Sequence, residues 1–172
     1  TKGQEVKFDL DFPSDTSRID SNYDTDLLPA SFFNKNRQAL RDLMPNNSVA
    51  IFFANPVRNR SNDVDFEYHQ DPNFYYLSGL REPHAALIIY KEDQEFKNDL
   101  KTNEILFLQQ KDKRNELWTG EILGIAEAVK KLGVKTVMEN EKFLLFENDY
   151  EAFETILSFK HDGDVKNTKV NP

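Results

Sequence analysis

The chain has 172 residues and a formal net charge of −8, and 38% of its residues are hydrophobic. This length allows one domain with a buried core. The negative charge argues against a nucleic-acid partner, because proteins that bind phosphate backbones need clustered Lys and Arg side chains. The sequence contains no Cys, which excludes disulfides, a thiol nucleophile and Cys-ligated zinc.

The first 28 residues are polar with isolated apolar side chains that alternate between Val6 and Phe12. This pattern predicts an amino-terminal extension that packs on the domain, and residues 29–172 would form the domain itself. The chain starts at Thr1 and stops at Pro172 without a clear ending. We therefore interpret it as a fragment or one domain of a longer protein.

Helical spacing of apolar side chains predicts three helices, over residues 30–44, 121–132 and 148–159. The sequence Pro45-Asn46-Asn47 ends the first helix, and Gly133 ends the second. The third would start at an N-cap within Asn148-Asp149. The apolar positions of the first two helices are Phe33, Leu40, Leu43 and Met44, and Ile122, Ile125, Ala126, Val129 and Leu132.

Short, continuous apolar runs bounded by Asn, Pro or Gly are typical of buried strands. Four such runs are expected to be strands of one sheet: 49–53, 74–77, 85–90 and 105–108. A further short strand is expected at 134–138, and the polar residues 92–103 are expected to form a loop. The chain is thus predicted to be a single α/β domain, with a strand-forming middle flanked by helices.

Five side chains of metal-ligand type alternate with other residues after a turn at Ser61-Asn62: Asp63, Asp65, Glu67, His69 and Asp71. In a straight strand they would share one face and could bind a divalent cation. Alternatively, they are solvated or paired with nearby Arg side chains. We favour the second interpretation, because metal ligands converge from several directions and rarely come from one strand.

No other pattern predicts catalysis. The three His residues are far apart, and the sequence has neither a Gly-x-Ser-x-Gly motif nor a glycine-rich phosphate loop. The residue patterns alone therefore identify no catalytic residue and no metal ligand in this chain. Trp118 is the single Trp and lies between a charged loop and a predicted helix. Such a residue either contributes to an interface or ligand groove, or packs at the edge of its own core.

The order and spacing of several segments resemble one known family, the amino-terminal domain of bacterial-type Xaa-Pro aminopeptidase (aminopeptidase P). The resemblance covers roughly residues 29–160. It rests on Asn36-Arg37, Arg60-Ser61-Asn62-Asp63, Gln70-Asp71-Pro72-Asn73-Phe74-Tyr75-Tyr76-Leu77-Ser78-Gly79, Glu82-Pro83 and Glu116-Leu117-Trp118-Thr119-Gly120.

The resemblance implies an α/β fold in which helices flank a mixed sheet, the ribonuclease-H-like fold of the creatinase and prolidase amino-terminal domain. It also implies a carboxy-terminal catalytic domain with two divalent metal ions, usually manganese, which hydrolyses the bond between an amino-terminal residue and a following proline. None of that domain's metal ligands can be placed on this sequence, so we expect the fragment alone to be inactive.

In the resembled family, the amino-terminal domain assists assembly into dimers or tetramers and restricts access to the catalytic cleft. The Trp of the Glu-Leu-Trp-x-Gly element can approach the active site of a neighbouring subunit, a role that would fall to Trp118. Two alternatives stay open: the equivalent domain of a prolidase or creatinase, and a catalytically inactive binding module for a basic partner. We expect no nucleic acid or membrane partner and, because Cys is absent, a reducing, cytoplasmic location.

Overall fold

The computed structural model describes residues 28–97, 99–112, 116 and 120–158. Within them lie three α-helices: α1 (Ala30–Leu43), α2 (Pro72–Ser78) and α3 (Gly124–Leu132). The strands are β1 (Ser48–Phe53), β2 (Asn59–Ser61), β3 (Val64–Asp65), β4 (Ala86–Phe96), β5 (Leu100–Leu108), β6 (Thr136–Glu139) and β7 (Thr155–Ser158). Short 3₁₀ helices span Asn140–Leu145 and Tyr150–Ala152.

Five strands form one mixed sheet in the order β6-β5-β4-β1-β7, and β2 and β3 form a separate hairpin. Strand β4 is antiparallel to β1 and β5, while β6 and β7 run parallel to their neighbours. The predicted α/β fold, with helices flanking a mixed sheet, is thus confirmed. Of the four runs expected in one sheet, 49–53, 105–108 and all but the first residue of 85–90 lie in it, and the strand expected at 134–138 overlaps β6.

Both faces of the sheet are covered, which explains why its central strands are apolar without alternation. On one face, Ala50, Leu87 and Leu106 pack with side chains from the three α-helices. On the other, Ile88 and Phe107 pack beneath aromatic side chains of the chain's last described segment, namely Phe143, Phe146, Tyr150 and Phe153.

The run 74–77, predicted as a strand, is helical. Asp71 accepts a hydrogen bond from the Phe74 amide (2.8 Å), Pro72 occupies the first turn, and Gly79 ends the helix with φ +74°. Phe74, Leu77 and Ser78 are buried, whereas Tyr76 is exposed. The prediction was wrong because the start and stop residues outweigh the β-propensity of an aromatic run.

Removing this N-cap should test its contribution. We expect Asp71→Ala to lower the free energy of unfolding by about 1–2 kcal/mol, because the Phe74 amide loses its acceptor in a buried site. Chemical denaturation measures the change. Asp149→Ala is the matched control, since exposed Asp149 caps only the three-residue 3₁₀ turn through the Glu151 amide. An Asp71→Ala effect no larger than that of the control would contradict the assignment.

The helix predicted over 148–159 is also wrong. Asp149 does cap a turn, but the turn ends at Ala152, and Thr155–Ser158 instead pairs parallel with β1. Pairing satisfies the backbone groups of the edge of β1, a long-range gain that local spacing cannot show. Residues 92–103, predicted as a loop, lengthen the β4–β5 hairpin, with Phe96 opposite Leu100.

The apolar faces of two helices also differ from the prediction. In α1, Leu43 is 85% exposed, and Arg37 and Arg41 are buried in the face directed at the core. Helix α3 buries Ala128 and Leu132, while Ile125 and Val129 of the predicted stripe are partly exposed. Because α3 has apolar residues on most of its circumference, spacing alone does not identify the inward face.

The buried Arg37 side chain connects α1 to three other elements. It donates hydrogen bonds to the carbonyl of Leu77 in α2 (2.9 Å), to the carbonyl of Gly133 after α3 (2.9 Å) and to Glu104 of β5 (3.0 Å). Neighbouring Asn36 donates to the carbonyl of Tyr76 (2.9 Å). The Asn36-Arg37 pair therefore satisfies carbonyls at helix ends that have no partner within their own helix.

Candidate functional site at the carboxyl edge of the sheet

The loops at one edge of the sheet carry polar residues of the candidate site, among them Gln70 and Glu82. Strands β1, β5, β6 and β7 all run toward this edge, and β4 begins there, as the pairing directions require. We call it the carboxyl edge; its loops comprise residues 54–71, 79–85, 109–112 and 120–123. In open α/β sheets, the loops beyond the carboxyl ends of strands are the usual place for ligand sites.

The side chain of Gln70 fixes these loops relative to one another. Its carbonyl oxygen accepts hydrogen bonds from the amides of Asn55 (3.1 Å) and Asp71 (2.9 Å). Its amide group donates to the carbonyls of Leu80 (3.2 Å) and Glu82 (2.9 Å). One side chain thus joins the loop after β1, the start of α2 and the loop before β4, which gives Gln70 a structural role.

The five metal-type side chains do not converge. Asp63, Asp65, Glu67 and His69 are exposed, and only Asp65 lies in a strand. Buried Asp71 caps α2 instead. Among the described residues, no group of three or more His, Cys, Asp or Glu side chains could hold a metal ion. The described residues therefore do not fit a dinuclear metal site.

Two carboxylates bind the backbone immediately before α3. Glu82 accepts a hydrogen bond from the Leu123 amide (2.6 Å), and Glu116 accepts one from the adjacent Ile122 amide (3.1 Å). Lys111 lies 3.5 Å from the same Glu116 oxygen. Burial raises the pKa of Glu82, and the nearby Glu116 charge adds to this, while the Leu123 amide and Lys111 partly offset the increase.

Trp118 lies outside the described residues. Its described neighbours, Glu116 and Gly120, are joined by a hydrogen bond from the Gly120 amide to the Glu116 carbonyl (3.1 Å). With Ile122 and Leu123 held by the two carboxylates, the described residues on either side of Trp118 are anchored at the carboxyl edge. The sequence singled out Trp118 but missed Glu82, whose only signal was its place in the Glu82-Pro83 pair.

Comparison with known proteins matches these same segments to one family. The model of the aminopeptidase P amino-terminal domain matches residues 33–150. The chain belongs to this family. The match includes the Gln70 and Glu82 loops and the Glu116 element, and it confirms the family that the sequence motifs indicated.

Relatives of this aminopeptidase P amino-terminal domain carry consistent names. The chain is 38% identical over 102 residues to the Xaa-Pro aminopeptidase of Escherichia coli, covering 59% of this chain and 22% of that protein. It is 34% identical over 116 residues to the Xaa-Pro aminopeptidase of Haemophilus influenzae, covering 67% of this chain and 26% of the relative. The chain thus spans about a quarter of the length of these relatives.

Solved structures agree with the family assignment. Aminopeptidase P from E. coli with the inhibitor Pro-Leu superposes with a TM-score of 0.66 at 28% identity, covering 78% of this chain and 30% of that one. A Pseudomonas aeruginosa aminopeptidase superposes with a TM-score of 0.58 at 30% identity, over 67% of this chain and 25% of the other. The helices of the described segments are all too short or too polar to cross a membrane.

Proposed function

We propose that this chain is the non-catalytic amino-terminal domain of an Xaa-Pro aminopeptidase, with residues 1–28 as an extension ahead of the domain. The observation that carries the proposal is the family match over residues 33–150, together with relatives named Xaa-Pro aminopeptidase that are about four times longer than their matched part. In this proposal, two divalent metal ions, manganese by resemblance, belong to a carboxy-terminal catalytic domain.

Within the full-length enzyme, the domain would contribute to oligomer assembly and to restricting which substrates reach the cleft. The anchored carboxyl edge supports this role, because loops held by Gln70, Glu82 and Glu116 present a fixed surface. A fixed surface beside a cleft can exclude internal peptide bonds, while a peptide end still enters.

Peptidase assays on two forms of the protein test the proposal. We expect the full-length polypeptide to release the amino-terminal residue of an Xaa-Pro peptide in the presence of manganese, and a chelator to abolish this release. We expect the 172-residue chain to show no cleavage under the same conditions. Metal-dependent cleavage by the 172-residue chain alone would contradict the proposal, as would a full-length protein without activity on any Xaa-Pro peptide.

Trp118 is proposed to reach the substrate cleft of a neighbouring subunit. In the full-length enzyme we expect Trp118→Ala to lower kcat/KM roughly thirtyfold, since a buried aromatic anchor contributes about 2 kcal/mol or more. Steady-state kinetics and thermal unfolding are measured on the same variant, with Trp118→Phe as the conservative control. A lowered melting temperature with unchanged kinetics would show that Trp118 only packs within its own domain.

A further inference from the structure

A groove of about 490 Å³ lies at the carboxyl edge between the segment after β3 and the loop before β4. Phe66 and Tyr68 line one side, and Glu82 and Pro83 line another, with Ile122 nearby. Two of its lining residues, Tyr68 and Glu82, each carry a buried polar atom that lacks a hydrogen-bond partner among the described residues. These atoms are the Tyr68 hydroxyl oxygen and Glu82 Oε2.

Orphaned buried polar atoms of this kind are rare, because each loses its hydrogen bonds to water without compensation. The two oxygens of Glu82 differ: Oε1 accepts a hydrogen bond from the Leu123 amide, whereas Oε2 has no donor in the part of the chain that the structure describes. Burial raises the pKa of the Tyr68 hydroxyl to about 12, with the charge of Asp71 adding to the shift, and burial also raises the pKa of Glu82. A ligand that brings hydrogen-bond donors would satisfy both atoms.

The other lining residues define the chemical class of that ligand. Three carboxylates, those of Asp65, Glu82 and Glu121, line the groove together with one guanidinium, that of Arg81, which lies 5.7 Å from the centre of the Tyr75 ring. Lys111 lies 3.8 Å from Glu121, so the carboxylates still outnumber the cations. The remaining walls are largely apolar and include Val57, Phe66 and Ile122. An excess of negative charge beside apolar walls favours a cation on a hydrocarbon stem.

We propose that this groove binds the primary ammonium group of a peptide or protein, either a free amino terminus or a lysine side chain. Glu82 Oε2 and the Tyr68 hydroxyl oxygen accept hydrogen bonds from the ammonium, and the apolar walls contact its hydrocarbon stem. An ammonium has three donors and no acceptor, and the Tyr68 and Glu82 oxygens can each accept one hydrogen bond from it. The proposal depends only on residues of this chain and stands independently of the peptidase reaction.

Titration of the 172-residue chain with n-pentylammonium tests the site directly, with backbone amide NMR shifts as the readout. We expect saturable binding at millimolar concentration, with shifts at Tyr68, Glu82, Ile122 and Leu123. Neutral 1-pentanol and anionic pentanoate have the same stem and should bind much more weakly. Equal binding of 1-pentanol would overturn the proposal, because the groove would then not recognise the ammonium charge. The absence of saturable n-pentylammonium binding would overturn it too, because the orphaned atoms would then bind only water.

Two variants identify the atoms responsible. Glu82→Gln keeps an oxygen for the Leu123 amide but replaces the second oxygen with a donor, so affinity should fall roughly 10- to 100-fold. Tyr68→Phe should weaken binding severalfold and decides the question if Glu82→Gln does not fold. Glu141→Gln, which removes an exposed carboxylate lining an adjacent groove, should leave the affinity within twofold. Unchanged affinity in a folded Glu82→Gln or Tyr68→Phe variant would refute the site.

Two peptides distinguish the sources of the ammonium. One is Ala-Phe-Ala amide, which has a free amino terminus and no lysine. The other is N-acetyl-Ala-Lys-Ala amide, which has a lysine and a blocked terminus. Shifts at the same four amides with the first peptide assign the groove to amino termini, and shifts with the second assign it to lysine side chains. If neither peptide binds, the proposal fails even if n-pentylammonium binds.

Discussion

Replacing Glu104 with Gln is expected to lower the free energy of unfolding by about 3–5 kcal/mol, because it leaves two buried guanidinium groups without their counter-charge. Glu104 is 2% exposed and accepts hydrogen bonds from Arg37 Nε (3.0 Å), Arg41 Nη1 (2.8 Å) and the Lys135 amide (3.1 Å). Arg37 is fully buried, so water cannot replace the lost carboxylate. Denaturant titration measures the change.

The matched control is Glu95→Gln. Glu95 also pairs with a cation, Lys101 (3.2 Å), but both side chains are more than half exposed. An exposed pair contributes at most about 1 kcal/mol, so this identical substitution should have little effect. Comparable losses in the two variants would show that burial of the Arg37–Glu104–Arg41 cluster does not determine its contribution.

The same carboxylate should make stability depend on pH. Burial alone would raise the pKa of Glu104, but the Arg37 charge and the hydrogen bonds from Arg41, Arg37 and the Lys135 amide outweigh it, and the net shift is downward. A carboxyl whose pKa is lower in the folded state stabilises that state above its unfolded pKa, about 4.3. This contribution disappears as the pH falls through the folded value. The difference in unfolding free energy between the unmodified chain and Glu104→Gln should therefore narrow below about pH 4.

The central strands could be predicted because a strand that is buried on both faces has apolar residues at consecutive positions. Val49, Ile88 and Leu106 are all fully buried, so none of these positions favours a polar residue. The Arg37 cluster has no such pattern in the sequence. On a helical wheel, Arg37 and Arg41 resemble solvent-facing residues, and only contact with Glu104, more than 60 positions away, makes them part of the core.

The candidate site shows the same limit. Sequence motifs correctly located the Gln70, Glu82 and Glu116 segments, since a family resemblance needs only order and spacing. They did not show that Glu116 and Glu82 accept hydrogen bonds from two consecutive backbone amides before α3. Nor did they show that Tyr68 and Glu82 line one groove. Those relations arise because separate loops meet at one sheet edge, and the strand order that brings them together is a long-range property.

Gly79→Ala is the second substitution with a large expected effect, and we expect it to destabilise the fold by about 2–4 kcal/mol. Gly79 has φ +74° at the end of α2, a conformation that costs roughly 1–2 kcal/mol for a residue with a Cβ. A Cβ would also lie only 2.6–2.8 Å from three ring atoms of Phe33. That ring is 2% exposed and packs edge-on against Tyr75, so it cannot move without disturbing the packing between α1 and α2.

Gly120→Ala separates the two contributions. Gly120 has a similar backbone conformation, φ +85°, but apart from its chain neighbours no atom of the described residues lies within 4 Å of a Cβ built there. This control should therefore lose only the backbone part, and the excess loss in Gly79→Ala measures the contact with Phe33. In a Phe33→Leu background, the smaller side chain should leave room for the Cβ. The loss of unfolding free energy caused by Gly79→Ala should then be smaller by at least 1 kcal/mol, as expected for the coupling of two contacting residues. Strict additivity of the two substitutions would show that the close approach of Gly79 to Phe33 is not what requires glycine at this position.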